Sequence, residues 1–274
     1  GKKVRTEILK KKLPAELVAE ILQAYRELSK LSKTKNVDVA VRSSATAEDS
    51  LDAYFAGEHE TYLNIKGHKA LLMAIKKDIA SLFTDRAISY RVDKGYNHFD
   101  IALSIGIQKM VRSDKGCSGV MFTLDTESGF RDAVVISSSW GLGEMVVQGQ
   151  VTPDEFMVFK PTLKAGFAPI IKKNIGAKKN MMIYGATPKS SGTKAGPTKI
   201  IATPAKMQTQ FTLSDEEILT LAKWGVMVEE HYSNRAKKPM PMDMEWAKDG
   251  VTGELFIVQA RPETVQAIHN VLEI

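Results

Sequence analysis

Two short segments near the end of the chain, residues 242–247 and 255–261, constrain its fold most tightly. They flank Lys248-Asp-Gly-Val-Thr-Gly253, and an antiparallel register centred on Thr252 sets Glu245 opposite Gln259 and Asp243 opposite Arg261. Side chains alternate across a strand, so these four share one face. Met244 and Trp246, opposite Ala260 and Val258, share the other. A hairpin divided in this way belongs in a sheet with one face buried and the other open to a ligand or to water. Taken alone, it suits a half-solvated hairpin with a cross-strand salt bridge equally well.

A second segment far upstream has complementary chemistry. The apolar run Val37–Val41 ends in Arg42 and then in Ser-Ser-Ala-Thr-Ala-Glu-Asp49. A strand ending so presents a guanidinium, whose planar fork of donors can bind phosphate oxygens in pairs. The same residues read as a strand entering a helix capped by Ser44 or Thr46, with Glu48 and Asp49 favourable in its first turn. The two readings converge, because a helix N-terminus preceded by arginine is itself an anion site.

Together the segments supply what a magnesium-bound nucleotide needs, and one ATP site in two halves is expected. Glu245 and Gln259 become magnesium ligands if phosphates complete the oxygen shell, and Arg261 offsets charge on the phosphoryl groups. Phe55-Ala-Gly57 and Thr61 form a lid whose Gly57 amide and Thr61 hydroxyl meet phosphate, or else Gly57 marks a turn. Gln108-Lys-Met110-Val111 resembles a hinge whose backbone reads an adenine edge, or is a plain amphipathic strand. Trp140 to Gly149 is glycine-rich but matches neither a P-loop nor a dinucleotide fingerprint, which leaves Glu144 a secondary candidate for ribose or metal.

An apolar fraction of 43% over 274 residues is enough for a sizeable core, in one large domain or two lobes. The net charge of +6 fits an anionic ligand, nucleic acid or plain solubility. With a single cysteine, Cys117, no internal disulfide and no cysteine zinc cluster can form, so a reducing, cytoplasmic setting is expected. No apolar run approaches the roughly 18 residues of a membrane span, and no histidines sit at metal-ligand spacing. The N-terminus lacks an initiator methionine, which suggests a boundary cut upstream of Gly1.

Periodicity predicts an α+β chain. Helices are expected over residues 13–28, as one long helix from His68 to Arg91, and from a Ser214–Glu217 capping box to about His231. Strands are expected over 37–41, 59–65, 101–111, 119–124 and 133–138. The first lobe is placed at 1–100 and the second at 101–266, with 267–274 starting a linker. Residues 186–199 read as a surface loop. A rival reading makes Lys178, Lys189, Lys194 and Lys199 a basic nucleic-acid surface, against which stands the lack of interleaved aromatics for stacking. No membrane or nucleic-acid partner is expected.

Long motifs add a resemblance. VAVRSSATAEDS at 39–50, FAG at 55–57 with ETYLN at 60–64, SLFTDRAISYR at 81–91 and SGVMFTLDTESGF at 118–130 are similar to the nucleotide-binding domain of the phosphoenolpyruvate synthase and pyruvate phosphate dikinase family. So are SSWGLGEMVVQGQVTPDEF at 138–156 and DMEWAKDGVTGELFIVQARPETV at 243–265, and WGLGE and DMEWAKDG look most like the synthase branch.

The resemblance implies an ATP-grasp fold, with two α+β lobes enclosing an ATP site, truncated at its N-terminus. It implies ATP contacts at Arg42, Gly57, Thr61, Gln108, Met110, Glu245, Gln259 and Arg261, with Glu245 and Gln259 on Mg2+ and Arg42 and Arg261 catalytic. It further implies transfer of ATP phosphates to a histidine on a separate domain, with AMP as product, and onward transfer to pyruvate held in a barrel domain. A related antibiotic phosphotransferase is the alternative within the family. The family's upstream lysine loop, its phosphohistidine domain and its barrel all fall outside this sequence, so the segment alone is expected to be inactive. Glu58-His59 stands where the family commonly has a glutamine pair.

Overall fold

The structure, a computed structural model, describes residues 1–45, 61–185 and 197–263. The fold is α+β, in two compact units, Gly1–Met110 and Val111–Ile274. Among the described residues no helix is long and apolar enough to cross a membrane.

The first unit contains α1 (Lys2–Lys10), α2 (Ala15–Leu31), β1 (Val39–Ala45), β2 (Tyr62–Ile65), α3 (His68–Ser81), α4 (Asp85–Asp93) and β3 (Leu103–Lys109). Its antiparallel sheet has the order β2-β1-β3. Val39 and Val41 point from the central strand into a core with Tyr25, Leu71, Ala74 and Ile75, while Ile105 and Ile107 of β3 pack at its edge. The buried Tyr25 hydroxyl is satisfied twice, donating to the Val37 carbonyl at 2.6 Å and accepting from the Gly67 amide at 3.0 Å.

Three expectations change here. β1 continues through Ser43, Ser44 and Ala45, paired residue by residue with β3, so Ser44 is a strand residue and caps no helix. Thr46, Glu48 and Asp49 lie outside the described residues. The helix expected from His68 to Arg91 is two, because Thr84 caps α4 by accepting from the Ala87 amide at 3.2 Å, and Arg91 reaches back to the Leu82 carbonyl. The same apolar period runs through both helices, which hides the break from a periodicity count. Finally, the seven-residue ladder with β1 ties Leu103–Lys109 to the first unit, which ends at Met110 instead of residue 100. Residues 267–274 lie outside the described part.

The second unit contains β4 (Cys117–Phe122), β5 (Ala133–Trp140), α5 (Glu144–Val147), β6 (Asp154–Phe159), α6 (Lys160–Lys164) and β7 (Ile170–Asn174). It continues through β8 (Asn180–Tyr184), β9 (Thr198–Ala202), α7 (Ala205–Gln208), α8 (Asp215–Ala236), β10 (Met242–Lys248) and β11 (Leu255–Pro262). Six antiparallel strands run β11-β10-β4-β5-β6-β7, and β8 pairs with β9. The Ser214–Glu217 capping box forms as read and starts α8, which extends past His231 to Ala236. Ile218, Leu221, Ala222 and Val226 of α8 bury one sheet face with Met121, Ile136, Phe156, Met244 and Trp246. The helix comes close because Gly225 faces the sheet, where a Cβ would stand 3.2 Å from the Met121 sulfur.

One lysine of the rival basic surface is reassigned, whereas Lys199 lies in β9 and stays exposed. Lys178 is fully buried, with its ammonium on the Asp154 carboxylate and on the Gly176 carbonyl at 2.9 Å. Asp154 also accepts from the amides of Gly176 and Thr212, both at 2.9 Å, and from the Thr212 hydroxyl at 3.0 Å. A charge taken so far from water is tolerable only while its partner is in place. Lys178→Met therefore strands the Asp154 carboxylate and should cost about 3–5 kcal/mol. Trp140, Trp224 and Trp246 are the chain's three tryptophans and all lie in this unit, so urea unfolding followed by their fluorescence reads the loss. A change within about 0.5 kcal/mol, as for an ordinary surface substitution, would contradict it.

Candidate functional site

The β10–β11 ladder places the four predicted side chains in register. Asp243 pairs with Arg261 and Glu245 with Gln259, as the sequence indicated, and Met244 pairs with Ala260. The next pair departs from expectation. Val258 is the inserted residue of a β-bulge, and Trp246 faces Ile257. Strict alternation would have put Ile257 on the face of Gln259 and Arg261, whereas the bulge turns it to pack with Leu255 and Ala260 against the core.

On the opposite face, Arg261 Nε donates to Asp243 Oδ2 at 2.8 Å, and Nη2 lies 2.7 Å from the same oxygen in an ion pair. The Arg261 side chain stays 35% exposed and that of Asp243 only 14%. Burial pushes the Asp243 carboxyl above its ordinary value. Arg261 pulls it back, and Glu245 and Glu263 push it further up. Across the ladders this face continues through Val120 and Phe122 of β4 to Val135 and Ser137 of β5, all half-buried. Acid, amide and guanidinium thus adjoin an apolar floor. Among the described residues no group of three or more His, Cys, Asp or Glu could hold a metal ion. A cation at Glu245 and Gln259 therefore needs oxygens from a ligand.

What fixes β10 was not anticipated. The Thr123 hydroxyl accepts from the Met242 amide at 2.8 Å, and the Thr123 amide donates to the Met242 carbonyl at 3.0 Å. Lys160 donates to the Thr123 carbonyl at 2.5 Å and to both carboxylate oxygens of Glu229, at 2.7 and 3.0 Å, which ties the strand to α8. At the hairpin turn, the Asp249 carboxylate accepts from the amides of Val251, Thr252 and Arg112. Burial raises its pKa, but these amides outweigh burial and hold it below the ordinary value. Gly250 is required there, since a Cβ would lie 2.1 Å from the Lys115 carbonyl. Lys160 and Glu229 lie far apart in sequence and carry no motif that would have revealed them.

In the first unit, Arg42 and Ser44 project from the sheet face opposite the core, together with Gln108 and Ser104 of β3. Arg42 is paired with Gly106 in the β1–β3 ladder. Thr61 is exposed, one residue before β2. Gly57, with Phe55, Glu58 and His59, lies outside the described residues. Met110 is buried and its amide donates to the Asp38 carbonyl at 3.0 Å, so that donor of the expected hinge is already engaged.

The glycine-rich stretch after Trp140 has a structural use. Gly141 has φ +86° and approaches β8 so closely that a Cβ would stand 2.3 Å from the Met182 carbonyl, which accepts from the Leu142 amide at 2.9 Å. Glu144 opens α5, its carboxyl raised by burial and drawn down by the Gln148 amide at 3.0 Å. Cys117 is buried, its thiol pushed up to about 12 chiefly by burial, as suits a packed residue.

The structure thus gathers Asp243, Glu245, Gln259 and Arg261 on one face in the second unit, and Arg42 and Gln108 on one face in the first. A model of the family described as pyruvate phosphate dikinase, AMP/ATP-binding domain, matches residues 1–273. Similar curated proteins include the phosphoenolpyruvate synthase of Helicobacter pylori, 56% identical over 97% of this chain and 32% of its own length. That of Aquifex aeolicus is 55% identical over 97% and 30%, and that of Escherichia coli 52% identical over 100% and 33%. The chain spans about a third of the length of these relatives. With the match running through all but the last residue, the chain belongs to the pyruvate phosphate dikinase AMP/ATP-binding domain family.

Proposed function

We propose that this chain is the ATP-grasp nucleotide-binding part of a phosphoenolpyruvate synthase, moving phosphates of ATP to a histidine on a separate domain, with AMP as product. That histidine would pass its phosphoryl group to pyruvate in a barrel domain, giving phosphoenolpyruvate. One observation carries the reading: Asp243–Arg261 and Glu245–Gln259 stand as adjacent cross-strand pairs on the open face of a sheet whose other face is buried by α8.

Glu245 and Gln259 would hold Mg2+, which when bound neutralises charge on the phosphates. The residues fit this role, since a carboxylate and an amide oxygen on facing strands offer two hard donors and leave the remaining positions to phosphate and water. Arg261 donates to the phosphoryl oxygens where charge accumulates, and Asp243 aims its guanidinium beforehand. We assign further ATP contacts to Arg42, Gly57, Thr61, Gln108 and Met110, as the family resemblance implies.

Arg261→Ala in the full-length protein removes charge-assisted hydrogen bonds worth about 1.5–3 kcal/mol, so nucleotide affinity should fall roughly 10- to 100-fold. Calorimetric titration with Mg2+ and a nonhydrolysable ATP analogue reads this directly, and wild-type affinity would refute the assignment.

Asp243 also predicts a pH dependence. Its folded pKa lies above the ordinary 3.8, so the folded state binds this proton more tightly than the unfolded chain. The resulting stability is complete below the ordinary carboxylate value and is lost as pH rises through the elevated one. Asp243→Asn abolishes this component. In urea unfolding across the acid range, wild type should lose stability relative to the Asn variant as pH increases. A constant difference between the two would show that Asp243 titrates normally.

A further inference from the structure

β11 brings one more charged side chain to the open face of the hairpin. Met242 and Pro262 face each other across the ladder, and the Glu263 amide donates to the Pro241 carbonyl at 2.8 Å, so the pairing runs one rung past Pro262. Met242 points into the core. Alternation therefore returns Glu263 to the face of Arg261, two residues before it, and sets it diagonal to Asp243. There its charge is near enough to help hold the Asp243 carboxyl above its ordinary value. Pro241 and Pro262 hold their own φ at about −65°, which leaves the backbone around Glu263 little freedom. Glu263 is 7% exposed, and so buried where Asp243, Glu245 and Gln259 are only half-buried. A carboxylate so enclosed is costly without a cation at hand, and of Asp243, Glu245, Arg261 and Glu263 only Arg261 is positive. Two acids of one face thus flank Arg261: Asp243 across the ladder, against Nε and Nη2, and Glu263 two residues further along its own strand.

We propose that Glu263 is a second positioning residue for Arg261, its fixed carboxylate holding the guanidinium in the orientation that Asp243 begins to set. The inference rests on the reading of this face as a phosphate site, and adds to it a residue whose own side chain need not touch nucleotide. Asp243 meets Arg261 through a single oxygen, Oδ2, and a guanidinium held at one point can pivot about it. A buried charge on the same strand opposes that swing. Incoming phosphate competes for the donors that hold Arg261 to Asp243, so the Asp243 contact is weakest when transfer begins. A carboxylate set back from the ligand keeps its hold. Attraction between guanidinium and phosphate in the ground state tolerates a poor angle, whereas stabilising charge on the moving phosphoryl group does not. Glu263 therefore acts on turnover more than on binding.

The rate of AMP formation by the full-length protein, from ATP with Mg2+ and pyruvate, tests this. Glu263→Gln keeps the shape of the side chain and removes its charge. Its kcat should fall about tenfold or more, while KM for ATP and the calorimetric affinity for Mg2+ with a nonhydrolysable ATP analogue stay within about twofold of wild type. Glu263→Asp keeps the charge but draws it back by one methylene, and should recover part of the lost kcat at the same KM. Urea unfolding followed by tryptophan fluorescence checks that both variants fold. If the Gln variant does not, the Asp variant decides alone, with kcat lowered at least about threefold at unchanged KM. Wild-type kcat in Glu263→Gln overturns the proposal. So does a parallel loss of kcat, affinity and stability, which marks a merely structural residue. An Asp variant no more active than the Gln variant shows that the charge is not what matters and overturns it as well. Arg261→Ala, measured alongside, separates this failure from that of the site. Weakened binding there with a normal Glu263→Gln overturns the positioning role alone, whereas wild-type affinity there removes the phosphate site and the role with it.

Discussion

The register of β10 on β11 governs what the second unit can present to a ligand. A slip of β10 by one residue would bury Asp243 and Glu245 under α8 and expose Met244 and Trp246, so the core itself enforces the register. The Asp243–Arg261 pair then fixes the guanidinium within it. The pair is not a strong source of stability, because burial works against the Asp243 charge and the neighbouring Glu245 and Glu263 add to that cost. Its effect is orientation: a half-exposed arginine is held by one carboxylate oxygen, as the proposed phosphate contact would require. Behind it, Lys160 and Thr123 couple the start of β10 to α8, so the aim of the site and the packing of the core are one mechanical system.

The first unit follows the same logic on a smaller sheet. Valines and isoleucines of β1 and β3 bury one face against helices, which forces Arg42 and Gln108 onto the other. In both units, then, one buried sheet face selects the polar residues left on the other, and the same alternation of side chains sets fold and candidate chemistry.

That alternation explains which features were legible in advance. Asp243 with Arg261, and Glu245 with Gln259, followed from period-two patterning around a glycine-containing turn, and the capping box at Ser214 from local hydrogen-bond chemistry. The bulge at Val258 did not, because Ile257 and Val258 are both apolar and either could face the core. The assignment of β3 to the first unit depends on a partner strand nearly sixty residues earlier, which no local pattern encodes. Lys178 looked like one more loop lysine until the fold brought it to Asp154, and Lys160 with Glu229 meets only through the packing of α8. Ser44 was misread because Ser and Thr suit both strand ends and helix caps.

The central claim is that the open hairpin face binds a metal together with a nucleotide. Crystals of the full-length protein grown with Mn2+ in place of Mg2+ and a nonhydrolysable ATP analogue would locate the cation by its anomalous scattering. The account predicts a single nucleotide-dependent peak coordinated by the side-chain oxygens of Glu245 and Gln259, close to the terminal phosphates. Bound nucleotide with the cation elsewhere, or with Arg261 still paired to Asp243 and remote from phosphate, would contradict it.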